Sequence, residues 1–249
     1  MIDESASFPV RVTPYFDSLA DPYVDDPISR QYRYSHEETL ILPYELEDPL
    51  GEAKFMPVPR LIHRYRNRAL LLVTGRCAMH CRYCFRRHFA GQENRTLSQS
   101  ELTGAAEYLR QHDEIDELLL SGGDPLTLDD DNLAGIIGLL REKVPGLVLR
   151  LCTRVPGVLP SRITPKLCDI LAAATPIWIV AQFNHPRELS AECAAALGRL
   201  IDSGLPVVSQ TVLLRGVNDD SDVLEDLFNG LVKLRVKPYY LFQPDLVQG

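Results

Sequence analysis

Three thiols stand at Cys77, Cys81 and Cys84, within the run Cys77-Ala-Met-His-Cys81-Arg-Tyr-Cys84. Three thiolates at this three-then-two spacing can hold three corners of a four-iron, four-sulfur cluster and leave one iron without a protein ligand. An iron with an open position does chemistry, whereas a fully ligated cluster mostly carries electrons. Two other readings use the same residues. Zinc could take the three thiols with His80 or His88, although zinc ligands usually come as separated pairs and no second pair follows. The thiols could also be structural and unligated. Cys152 falls at a strand end and Cys168 and Cys193 in helical windows, so these read as small buried hydrophobes.

A second candidate is the turn Ser121-Gly122-Gly123-Asp124. Glycines let backbone approach a ligand closely, and a carboxylate beyond them can accept from an ammonium group. Alone, such a turn is a weak signal. Its place one strand after the cysteine run strengthens it.

The elements that position these residues follow from periodicity. Strand-like runs cover Ala69–Thr74, Glu117–Ser121, Leu147–Thr153, Ile177–Phe183, Val207–Leu213 and Lys237–Phe242. Helical windows lie between them. Ser98 with Glu101 forms a capping box flanked by Leu97 and Leu102 as a hydrophobic staple. Leu102, Ala105, Ala106 and Leu109 then share one helix face. Thr164 is an N-cap with Pro165 at the first helical position. Gly204 suits a helix C-terminus. Strands alternating with helices imply parallel β/α units, in a doubly wound sheet or a barrel segment. Either way ligands gather at the carboxyl ends of the strands. The cysteine run, the Gly-Gly turn, Thr153-Arg154, Asn184-His185 and Leu214-Arg215 all fall there. His185 could be a ligand or simply part of a turn. The expected fold is a partial (β/α)6 TIM-like barrel over residues 60–249. Residues 1–59, rich in proline, aspartate and tyrosine, read as an irregular extension packed on it through Phe8, Tyr15, Phe16, Tyr23, Tyr32 and Tyr34.

Cys-x-x-x-Cys-aromatic-x-Cys resembles the cluster loop of radical S-adenosylmethionine (SAM) enzymes. Ordered blocks from about residue 60 onward resemble the lysine 2,3-aminomutase family more closely. They include His63-Arg64-Tyr65, Cys84-Phe85-Arg86-Arg87, Ser121-Gly122-Gly123-Asp124-Pro125-Leu126, Gln182-Phe183-Asn184-His185-Pro186, Gln210-Thr211-Val212 and Lys237-Pro238-Tyr239-Tyr240. The resemblance implies that SAM chelates the open iron and yields a 5′-deoxyadenosyl radical. It also implies that pyridoxal 5′-phosphate (PLP), as an imine carrier, moves an amino group between C2 and C3 of lysine. Carried over by block, Cys77, Cys81 and Cys84 ligate the cluster, and Ser121, Gly122, Gly123, Asp124, Arg154 and Gln210 line the SAM pocket. Arg64 and Tyr65 hold the PLP phosphate, for which a guanidinium fork is suited. Arg86 binds the substrate carboxylate and Asp245 the distal ammonium. A flavodoxin or ferredoxin is the implied electron donor, and homo-oligomerisation is left open.

The family's PLP-forming lysine and a second substrate aspartate lie in a glycine-rich segment downstream of the last matching block. Lys54, Lys143, Lys166, Lys233 and Lys237 have no such context. The sequence therefore reads as a truncation of the mutase. A PLP-independent radical enzyme and a non-catalytic cluster-binding protein are the other expectations. A net charge of −8 argues against a nucleic-acid face. No apolar run is long enough to span a bilayer, and the acidic N-terminus lacks a signal-peptide core, so a cytoplasmic location is expected.

Overall fold

A computed structural model of the chain describes residues 8–23, 25–90 and 95–249. Its centre is a seven-stranded sheet in sequence order, β1 (Leu61–Tyr65), β2 (Arg68–Thr74), β3 (Glu117–Gly122), β4 (Val148–Thr153), β5 (Ile177–Gln182), β6 (Val207–Val212) and β7 (Lys237–Phe242). From β2 to β7 every pair is parallel. These are the six strands that alternation in the sequence marks, to within a residue or two. The strand β1 was not expected. It pairs antiparallel with β2 through a tight turn in which Tyr65 faces Arg68, and its five residues are too few for a clear period.

The helices are α1 (Pro14–Asp17), α2 (Gln99–Arg110), α3 (Asp130–Lys143), α4 (Val155–Val158), α5 (Pro165–Ala173), α6 (Ala191–Asp202) and α7 (Ser221–Lys233). Their ends follow local chemistry. Ser98 and Glu101 form the capping box of α2. Thr164 caps α5 with Pro165 next in line. Gly204, at φ +82°, closes α6. The Gly204 amide donates to Ile201 O at 2.9 Å and the Leu205 amide to Leu200 O at 3.2 Å, the paired bonds of a Schellman end.

The sheet has two different faces, set by the two-residue period of a strand. Leu118, Leu120, Leu149, Leu151, Ile177 and Ile179 pack under the helices in the main core. The alternate residues Leu119, Ser121, Arg150, Cys152, Val180, Gln182, Gln210, Val212, Tyr240 and Phe242 line a cavity of about 580 Å³. On β7 the helix-side residues Tyr239 and Leu241 are 50% and 52% exposed.

The N-terminal segment is fastened to the cysteine loop. Phe16, Ile28 and Tyr32 form a second core with Met79 from that loop and Val158 from α4. Phe8 stacks on His80, with ring centroids 4.7 Å apart. Backbone bonds run from His80 N to Arg11 O at 2.9 Å and from Arg82 N to Gln31 O at 2.9 Å. Phe8, Phe16 and Tyr32 are buried, Tyr15 and Tyr34 are half-buried, and Tyr23 is 93% exposed, so Tyr23 takes no part in the expected aromatic packing.

Candidate active site

The cavity gathers every residue that the resemblance assigns to cluster, cofactor or substrate. Cys77, Cys81 and Cys84 edge it together with Ser121, Gly122, Gly123, Asp124, Arg154 and Gln210. Arg64, Tyr65, Arg86 and Asp245 complete the wall. Residues more than a hundred positions apart meet because successive parallel strands deliver their carboxyl ends to one rim.

The cysteine loop leaves β2 at Thr74 and is anchored to the Gly-Gly turn after β3. The Gly123 amide donates to Thr74 O at 2.6 Å and the Asp124 amide to Arg76 O at 2.7 Å. These bonds explain the glycines. Gly122 sits at φ +120°, and a Cβ there would lie 2.4 Å from Thr74 O; at Gly123 a Cβ would lie 2.1 Å from Arg76 O. The sequence reading assigned the close approach to a ligand. The closest approach is that of the loop's own backbone, with the turn still facing the cavity.

Asp124 is likewise held inside the protein. Its carboxylate accepts from Thr153 Oγ1 at 2.7 Å, Arg154 N at 2.7 Å and Leu126 N at 3.0 Å. Burial pushes the Asp124 carboxyl up, against the lowering effect of those bonds. An ammonium group arriving here would meet a carboxylate already committed to joining the turns after β3 and β4.

Arg154 is a hub of hydrogen bonds beside the cysteine loop. Its Nη1 donates to Cys81 Sγ at 2.9 Å and to Tyr83 Oη at 2.6 Å, and its Nη2 donates to Gln31 and, at 3.4 Å, to Glu188. Burial works against charge on Arg154, but Cys81, Tyr83 and Glu188 outweigh it and keep the guanidinium protonated. Tyr83 Oη also receives Gln182 Nε2 at 2.8 Å and Asn184 Nδ2 at 2.6 Å. Glu188 and Gln31 carried no such signal in sequence, since each becomes a partner only across the fold, whereas Asn184 falls on the rim expected from the strand pattern.

His185 has a structural role. Its Nδ1 accepts from Arg187 N at 3.2 Å, while the amides of Asn184 and His185 both donate to Glu188 Oε1 at 3.0 Å. It does not line the cavity, and the plain-turn reading holds.

Arg86 presents a bidentate fork to Glu52. Its Nε and Nη2 donate to the two carboxylate oxygens of Glu52 at 2.8 and 2.6 Å, and Nη1 reaches Ser121 Oγ at 3.4 Å. Arg64 stands at the exposed rim, donating to Leu50 O at 3.0 Å and lying over the Phe55 ring. Burial and the nearby Glu52 charge push the Asp245 carboxyl up, while Arg86 and Arg64 pull it down. Glu52 gave no signal in sequence, because it lies in a segment without periodicity.

The donor set fits an iron–sulfur cluster better than zinc. Among the described residues no group of three or more His, Cys, Asp or Glu side chains converges as a single metal ion requires. His80 Nδ1 bonds Pro9 O at 2.7 Å, and His88 is exposed and outside the cavity. A cube instead spreads three thiolates over separate corners, and here the three thiols edge an open cavity beside a glycine cradle. Burial pushes the Cys84 thiol up to about 11 and Cys77 well above its ordinary value, so iron must displace protons to bind. Among the described residues no lysine lines the cavity.

Residues 71–227 match the Radical SAM superfamily model. The chain belongs to the radical SAM superfamily. This radical SAM chain is 44% identical over 244 residues to the L-lysine 2,3-aminomutase of Clostridium subterminale, covering 98% of itself and 59% of that protein. It is 43% identical to the L-lysine 2,3-aminomutase of Bacillus subtilis, over 98% of itself and 52% of that protein. It is 39% identical to the glutamate 2,3-aminomutase of Clostridioides difficile, over 96% of itself and 56% of that protein. The chain thus spans between about half and three fifths of the length of these relatives. In fold it is similar to a radical SAM methyltransferase from Sphaerobacter thermophilus, with a TM-score of 0.51 at 19% identity over 72% of this chain and 57% of that one. Among the described residues no helix is long and apolar enough to cross a membrane.

Proposed function

We propose that this radical SAM chain is the catalytic core of an amino acid 2,3-aminomutase acting on lysine or a lysine-like amino acid. The observation that carries the reading is the meeting of two kinds of site in one cavity. Three thiols and the Gly-Gly turn line it together with Arg86 and Asp245, and Arg86 Nη1 lies 3.4 Å from Ser121 Oγ. Aminomutase relatives at 39–44% identity support it.

In this reading Cys77, Cys81 and Cys84 hold a four-iron, four-sulfur cluster, and Ser121, Gly122, Gly123, Asp124, Arg154 and Gln210 line the SAM pocket. The bound cluster and SAM together supply a carbon radical able to take hydrogen from an unactivated C–H bond. The protein's own residues bind and orient. Arg154 keeps a charge-assisted bond on Cys81 Sγ and fixes Tyr83 in the wall. Arg86 offers a planar fork to an α-carboxylate and Asp245 a carboxylate to a distal ammonium, which favours lysine over glutamate. The sheet's inner face and the fastened N-terminal segment exclude water around the reacting atoms. In the same reading Arg64 and Tyr65, which line the cavity, take the phosphate of PLP. A small-molecule amino acid is the substrate, a flavodoxin or ferredoxin the electron donor, and the cytoplasm the location.

A second reading, a radical SAM reaction without PLP, uses the same three thiols and the same cavity. One experiment separates the two. Protein reconstituted anaerobically with iron and sulfide is given SAM, a reductant and L-lysine, with and without PLP. A PLP absorption band that shifts with L-lysine, and β-lysine formed only with PLP, is the expected result. 5′-Deoxyadenosine released equally without PLP would favour the second reading.

A further inference from the structure

The Nε–Nη2 edge of Arg86 is already taken, and its Nη1 turns to Ser121 Oγ at 3.4 Å. Glu52 meets that edge through two bonds of 2.8 and 2.6 Å, and the two side chains are only 16% and 14% exposed. One guanidinium edge accommodates one carboxylate at this geometry. We propose that Glu52 is an internal competitor for the carboxylate subsite on Arg86, released when an amino acid with a cationic side-chain end enters. The inference rests on the reading of Arg86 as the substrate-carboxylate residue and adds to it a residue that sets affinity and selectivity.

The local structure is built for such an exchange. Glu52 opens a single 3-10 turn, Glu52–Phe55, that buries none of its residues. The turn hangs from Gly51 in the left-handed region at φ +61°, with Asp48 accepting from the amides of Glu52 at 2.9 Å and Ala53 at 3.0 Å. The preceding segment is also weakly embedded: Leu40, Ile41, Tyr44 and Leu46 are all exposed. A turn with little buried apolar surface opens at low free-energy cost. Its two other ties, Arg64 Nη1 on Leu50 O at 3.0 Å and Arg64 over the Phe55 ring, lie at the rim and can persist while the Glu52 side chain swings.

The charges around Arg86 give the exchange its selectivity. Asp245 and Glu52 are close enough to repel, with Arg86 and Arg64 as the counter-charges. A ligand that brings only a carboxylate would displace Glu52 and leave Asp245 without a partner. A ligand that brings only an ammonium would leave Glu52 in place. A ligand carrying both satisfies Arg86 and Asp245 together, so the resting Arg86–Glu52 pair screens for both charges at once.

The test is ligand binding by calorimetry on the anaerobically reconstituted full chain, with L-lysine and with cadaverine, which lacks the carboxylate. The Glu52→Gln variant should bind L-lysine tighter by about tenfold, since a charged competitor for a charge-assisted fork is gone, and should bind cadaverine no tighter. Glu52→Asp keeps the charge but shortens the reach and should give an intermediate gain, with unchanged circular dichroism in both variants. Unchanged or weaker L-lysine binding in Glu52→Gln, while Arg86→Lys weakens it, would overturn the competitor role and leave Arg86 as the carboxylate residue. L-Lysine binding that ignores Arg86→Lys, or no binding in any variant, would overturn both.

Discussion

At the scale of single residues, the site depends on polar groups that are satisfied only by one another. The Tyr83 hydroxyl collects Arg154, Gln182 and Asn184, and burial raises its pKa well above the ordinary phenol value, so it remains a neutral fixed point. Tyr83→Phe keeps the ring but removes the acceptor of Gln182 Nε2 and one of the two acceptors that Arg154 Nη1 and Asn184 Nδ2 each have. It should cost about 1–3 kcal/mol in urea unfolding, the penalty for unpaired buried polar groups. A loss below about 0.5 kcal/mol would show that Gln182 finds another partner. Cys81→Ala removes both a cluster corner and the acceptor of Arg154. It should abolish retention of iron after reconstitution, measured as iron per chain after desalting. Full retention would place the cluster elsewhere.

At the scale of elements, the decisive contact is between two loops. The cysteine loop and the Gly-Gly turn share backbone bonds at a separation that leaves no room for a Cβ at Gly123. Gly123→Ala should therefore push the loop off the turn. A destabilisation of roughly 2–4 kcal/mol is expected, since a clash with backbone cannot be relieved by a rotamer. Thermal unfolding and iron uptake should fall together; normal values of both would contradict the packing described here. This contact also marks what sequence can and cannot give. Strands and helix caps are legible because they depend on neighbours in the chain, as Ser98, Thr164 and Gly204 illustrate. The cysteine spacing and the Gly-Gly turn are legible because they are local too. The purpose of the glycines is not, because Thr74 and Arg76 come into range only once β2 and β3 pair. Glu52, Gln31 and Glu188 are hidden for the same reason. The strand β1 is hidden for another, being short and joined by a turn of Arg66 and Asn67 that carries no glycine.

At the scale of the whole molecule, the N-terminal segment acts as a brace on the cysteine loop. Glu38 is its electrostatic anchor, accepting from Arg82 and, at 2.9 Å, from Arg87, both in the stretch that carries the thiols. Burial tends to raise the Glu38 pKa, but Arg82, the Ser35 amide and Arg87 outweigh it and hold the carboxyl below its ordinary value of 4.5. A depressed carboxylate stabilises the fold above its unfolded pKa and loses that contribution as pH falls through the folded value. Stability should thus fall on acidification below about pH 4.5. Glu38→Gln should be less stable than wild type at neutral pH and show a shallower decline with acid, measured as Tm against pH. Parallel curves for the two proteins would show that Glu38 contributes nothing to the brace.

The central claim is that three thiols on one cavity wall hold a cube with one iron left for SAM. Mössbauer spectroscopy of anaerobically reconstituted protein, prepared with isotopically enriched iron, tests it most directly. The account predicts a four-iron, four-sulfur cluster with one distinct iron whose signal changes when SAM is added. A cluster whose irons all ignore SAM, or protein that takes up zinc at these thiols in place of iron, would contradict it.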